Sequence, residues 1–75
     1  MQMNASYHAV LHAIYLRSLE LGNTHVTEVY TNVEGDTRKN ICKWLERQGY
    51  IKNVSYYGRE LITCDITEKT INYFE

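Results

Sequence analysis

Lys39 and Lys43 stand four residues apart, with Arg38 and Arg47 on either side, and Lys52 and Arg59 follow. Side chains of this kind neutralise phosphates, and arginine adds a planar fork that matches a phosphate or a guanine edge with two hydrogen bonds. From Thr37 to Arg59 these six bases meet a single acid, Glu46, whereas residues 1–36 and 60–75 each hold more acids than bases. The formal net charge of −1 thus conceals one concentrated positive segment. A polyanion responds to that local field rather than to the total. Asn40, within the same stretch, offers the paired donor and acceptor that fit an adenine edge. The competing reading is a solvated helix face, the ordinary fate of a charge run.

Other reactive residue types lead less far. His8 and His12 have the i, i+4 spacing of metal ligands, but no glutamate follows His8 and no third ligand is close in sequence. They read as surface or interface histidines, and at an interface their protonation near pH 6 would weaken assembly. Cys42 and Cys64 are too few for a disulfide framework or a zinc set and read as small, part-buried apolar residues. No nucleophile–base pair and no phosphate-cradling glycine loop occurs, so the sequence predicts no enzyme, no cofactor, no metal and no small-molecule ligand.

The elements that must position the basic segment follow from periodicity. Residues 5–21 form a first helix, capped by Asn4 or Ser6 and ended by Gly22. Tyr7, Val10, Leu11, Ile14 and Leu21 define its core face. His8, His12, Tyr15, Leu16 and Leu19 make a second apolar stripe, suited to another copy of the chain. Residues 27–33 read as a short second helix, with Thr27 as its cap, Val29, Tyr30 and Val33 inward, and Val26 in a short extended piece before it. Glu34, Gly35 and Asp36 make a tight turn, and Asp36 caps a third helix over 37–48. Ile41, Trp44 and Leu45 face inward there, while Lys39 and Lys43 face out. Helix, glycine turn, helix is helix-turn-helix spacing. After Gly49 the period changes to two, which predicts strands over 50–56 and 60–66 around a Tyr57-Gly58-Arg59 turn. Thr67 then caps a last helix, 68–75, that buries Ile71 and Phe74. The expected architecture is α+β, a winged helix-turn-helix of order α-α-α-β-β-α with a two-stranded wing, filling one domain over residues 1–75.

Trp44-Leu45-Glu46-Arg47-Gln48-Gly49-Tyr50-Ile51, followed after the hairpin by Asp65-Ile66-Thr67-Glu68-Lys69, resembles the winged-helix transcription regulators of the MarR and PadR type. In those families a recognition helix ends in a leucine, a glycine and an isoleucine at this spacing, then comes the wing, then a threonine-glutamate-lysine start to the next helix. The match covers about residues 24–70. The family's usual glycine after threonine-glutamate-lysine is Thr70 here. The length is nearer to minimal stand-alone forms, as in small plasmid, phage or archaeal-virus regulators.

The resemblance implies a sequence-specific regulator of transcription that binds double-stranded DNA, with helix 37–48 in the major groove and the wing, 51–66, at the minor groove. Thr37, Arg38, Lys39, Asn40, Lys43, Arg47, Lys52, Tyr57 and Arg59 are the expected DNA contacts. A homodimer through Tyr15, Leu16, Leu19, Tyr73 and Phe74 would set two recognition helices one DNA turn, ~34 Å, apart. A small core makes self-association a natural supplement to stability. The alternative is a protein-interaction module on the same fold. With no apolar run near the ~20 residues of a membrane span and no signal-peptide pattern, the expected location is the cytoplasm.

Overall fold

The computed structural model describes residues 3–33 and 35–75. Six elements follow in order: α1 (Ala5–Leu21), β1 (His25–Tyr30), α2 (Gly35–Arg47), β2 (Ile51–Tyr57), β3 (Leu61–Ile66) and α3 (Glu68–Phe74). The order is α-β-α-β-β-α, and the three antiparallel strands lie as β1-β3-β2. This corrects the expected winged helix-turn-helix order, α-α-α-β-β-α with a two-stranded wing. Residues 27–33, read as a helix, instead supply most of β1 and the link beyond it, so no helix-turn-helix precedes α2. The expected turn begins at Glu34, which lies outside the described residues. Asp36 sits within the first turn of α2 rather than before it.

The cause of the misreading is local. Val26 and Val29 are both buried, and a spacing of three is helical. In β1, however, Glu28 takes a positive φ of 53°, and the pairing with β3 slips between Val26 and Val29. A β-bulge adds one residue to a strand, so two apolar residues three apart both face the core. Val26, Thr27, Val29 and Tyr30 are also residue types that favour strands. Thr31 fastens the end of β1. Its amide donates to the Glu60 carbonyl at 3.0 Å, and its buried hydroxyl is shared between the carbonyls of Glu60 (2.7 Å) and Val33 (2.9 Å).

α1 runs as its caps dictate. The Asn4 side chain accepts from the Ser6 amide at 2.8 Å. Gly22, at φ 64°, turns the chain left-handed, so that its amide and that of Asn23 return to the carbonyls of Leu19 and Ser18. Val10, Leu11 and Ile14 are buried, together with Ser18, whose hydroxyl donates to the Tyr15 carbonyl. Leu21, expected in the core, is exposed.

The two long helices cover one face of the sheet. Ile41, Cys42 and Leu45 of α2 join the α1 residues over Val26, Val29, Ile51, Ile62, Cys64 and Ile66 in one cluster. The cross-strand pairs Lys52–Asp65, Ser55–Thr63, Tyr57–Leu61, His25–Asp65 and Tyr30–Leu61 occupy the other face. Both cysteines are free thiols, and burial pushes Cys42 up to about 11 and Cys64 up to about 12.

α3 is attached differently from expectation. Thr67 makes no side-chain cap; its hydroxyl is directed at the carbonyls of Gly49 and Tyr50. Thr70 is the buried residue of α3 and also donates to the Tyr50 carbonyl, while Ile71 and Phe74 are half-buried against the core. Among the described residues no helix is long and apolar enough to cross a membrane.

Candidate nucleic-acid interface

α2 is amphipathic because Ile41, Cys42 and Leu45 recur on one side. Its opposite side carries Lys39, Lys43 and Arg47 in four-residue steps, all exposed. Four residues of an α-helix advance 40° beyond a full turn, so the three cations form one gently spiralling row. The ion pairs among the described residues are Arg17–Glu20 and His25–Asp65, and none involves this row. Thr37 and Asn40 are exposed on the same helix. At the far end, the Lys69 ammonium of α3 donates to the Gln48 carbonyl at 2.6 Å and lies 4.5 Å from the Tyr50 ring centroid. A cation beside the last carbonyls of a helix is favourably placed, and Lys69 adds a further positive charge at the C-terminal end of α2. Sequence reading had counted it with the acidic flank.

Arg38 departs from expectation. It is 4% exposed, and its Nη1 donates to the carbonyls of Gly58 (3.0 Å), Leu61 (3.2 Å) and Tyr57 (3.5 Å). A guanidinium held inside the fold cannot reach a base edge, so Arg38 clamps the hairpin turn and does not stand with the exposed cations of α2. The signal was present: Arg38 stands three, four and seven residues before Ile41, Cys42 and Leu45, on the buried stripe itself. Its guanidinium carbon lies 5.0 Å from the Tyr56 ring centroid, and the Lys39 ammonium lies 5.9 Å from the same ring. The Tyr56 hydroxyl is buried without a hydrogen-bond partner, and burial pushes the phenol up.

The remaining expected contacts separate. Arg59 is exposed in the β2–β3 turn, beside Gly35 and Arg38 at the N-terminal end of α2. Lys52 and Tyr57 lie on the open face of the sheet, opposite Asp65 and Leu61, away from the outer row of α2. On that face Asp65 collects His25 Nδ1 at 2.6 Å and the Asn53 amide at 2.8 Å. The hydrogen bond from Asn53, then that from His25, holds the Asp65 carboxyl below the usual carboxylate range. His25, to which sequence reading gave no role, is therefore a partner of Asp65. Tyr30, Leu61 and Tyr57 also line up across the three strands as exposed residues, a row that alternation alone did not reveal.

A second surface belongs to α1 and α3. Tyr15 stacks on Phe74 with centroids 4.7 Å apart, and its hydroxyl donates to Glu75 at 3.2 Å. Phe74 also meets His12 at 5.3 Å and Tyr73 at 4.9 Å, and His8 Nδ1 lies 2.9 Å from the Tyr73 hydroxyl. Leu16, Leu19 and Tyr73 are 45%, 59% and 41% exposed. Tyr15, Leu19, Ile66 and Ile71 border a groove of about 300 Å³ beside them. His8 and His12 stack at 5.9 Å, and among the described residues no three metal-ligand side chains cluster. Compared with protein-family models, with curated proteins and with solved structures, the chain matches none of them.

Proposed function

We propose that this protein binds double-stranded DNA in a sequence-dependent way and regulates transcription as a homodimer. The observation that carries the reading is the row Lys39, Lys43 and Arg47: three exposed cations on one helix, outside every ion pair among the described residues. An α-helix fits the major groove. Thr37, Asn40 and Lys39 in its first half are suited to base edges, and Lys43, Arg47 and Lys69 to phosphates. Arg59, in the turn at the N-terminal end of α2, is suited to the adjacent minor groove. The dimer contact is assigned to Tyr15, Leu16, Leu19, Tyr73 and Phe74, on elements other than α2. A cytoplasmic location is part of the proposal, in keeping with two free thiols.

The deciding measurement is fluorescence anisotropy of a labelled duplex. Lys39→Glu combined with Lys43→Glu should abolish binding while leaving the helical circular dichroism unchanged. Each single Lys→Ala change should lower the slope of log K against log salt by about one unit. Undiminished binding by the double variant overturns the reading. The exposed Leu16, Leu19 and Tyr73 favour a second reading, a protein-interaction module. It would prevail if the wild type gave no retention on heparin or duplex DNA at low salt.

A further inference from the structure

A cleft of about 330 Å³ opens between the start of α2 and the β2–β3 turn, lined by Gly35, Arg38, Gly58 and Arg59. Its inner wall is unusual. Arg38 is 4% exposed, yet no carboxylate pairs with it among the described residues. Every hydrogen bond it makes there runs from Nη1 to a carbonyl of the turn region, and its buried Nε has no partner. Carbonyl dipoles and the Tyr56 ring soften the loss of water, but they do not cancel a full charge. A lysine in such a place could shed its proton; arginine cannot. The fold therefore holds a permanent positive charge against the side of an open cleft.

Two further features act on the same space. The thirteen-residue α2 begins at Gly35, so the positive end of its dipole lies at the cleft. Gly35 and Gly58 adopt φ of 62° and 59°, and apart from their own chain neighbours and nearby helix backbone no described heavy atom lies within 4 Å of where a Cβ would stand. At these two positions the cleft wall carries no side chain, which lets a group approach the backbone. We infer that this cleft is a binding site for a phosphate-type oxyanion, with the Arg38 guanidinium as its buried counter-charge. The inference rests on the cleft alone and does not require the outer row of α2 to contact DNA.

The test is an amide-resolved NMR titration of the intact protein with inorganic phosphate, at constant ionic strength, with chloride as the control ion. The Gly35, Gly58 and Arg59 amides should move along a saturating curve at millimolar phosphate. Absence of movement, or equal movement with chloride, overturns the inference. Arg38→Met, which keeps an unbranched stem on Tyr56, should lose the response. If that variant is unfolded, the wild-type titration still decides. A short duplex distinguishes the source of the anion. If it moves the same amides and phosphate competes, the ligand is a backbone phosphodiester; if phosphate alone moves them, it is a free anion. Lys39→Glu with Lys43→Glu should keep the phosphate response even where duplex binding is lost, so the two proposals fail separately.

Discussion

Where α2 meets the hairpin turn, a guanidinium lies inside the fold; along the outer side of α1, leucines lie outside it. The buried guanidinium reverses the usual partition of side chains, whereas the leucines, each ordinary alone, matter only as part of one apolar stretch of α1. They differ in what holds the exception. Arg38 is retained by carbonyls of the same chain, so its burial is part of the folded monomer. Leu16 and Leu19 remain 45% and 59% exposed in the monomer, a face that the proposed homodimer would cover. The exception thus has an internal origin in one region, and in the other the proposed dimer would supply an external one.

The sharpest way to break this comparison is to cut the internal clamp. Arg38→Ala removes the hydrogen bonds to the turn and the stem beside Tyr56, and should cost about 3 kcal/mol in chemical denaturation. For a domain this small the midpoint of thermal unfolding would fall by more than about 10 °C. Lys39→Ala, one residue away, should stay within about 0.5 kcal/mol of the wild type. Equal losses at the two positions would erase the contrast between them.

The outer region should respond in the opposite manner. Leu16→Lys with Leu19→Glu should leave monomer unfolding within about 0.5 kcal/mol of the wild type, yet convert a dimeric mass to a monomeric one in sedimentation equilibrium at micromolar concentration. A wild type that sediments as a monomer removes the external explanation altogether.

The smallest effect is expected on the open face of the sheet, where Asp65 is held below its usual range by Asn53 and His25. A depressed carboxyl stabilises the fold above its unfolded value, ~3.9, and that stabilisation is lost as pH falls through the folded value. Asp65→Asn should therefore flatten the acid limb of the stability profile below about pH 4, with under about 1 kcal/mol lost at neutrality. An unchanged acid limb would mean that the cross-strand pair contributes nothing.

Sequence was a good guide where one period ran without interruption. α1 keeps its caps and its length, and the β2–β3 hairpin and α2 fall within two residues of expectation. β1 was illegible because its bulge gives a strand the apolar spacing of a helix, and the winged helix-turn-helix assignment failed with it. Arg38 is buried rather than on the outer face because of its position, and its place on the Ile41–Cys42–Leu45 stripe is already written in the spacing. Lys52 and Tyr57 were grouped with α2 because a charge window along the chain carries no information about which side of a sheet a residue faces. The row Lys39–Lys43–Arg47 was legible because a single helix places all three.

Both outer strands of the sheet are broken in step: Glu28 in β1 and Asn53 in β2 each turn left-handed where the pairing with β3 shifts. A second molecule laying its backbone alongside either margin would find donors and acceptors out of phase after a short stretch. Growth into sheet-extended filaments is thereby hindered at both margins.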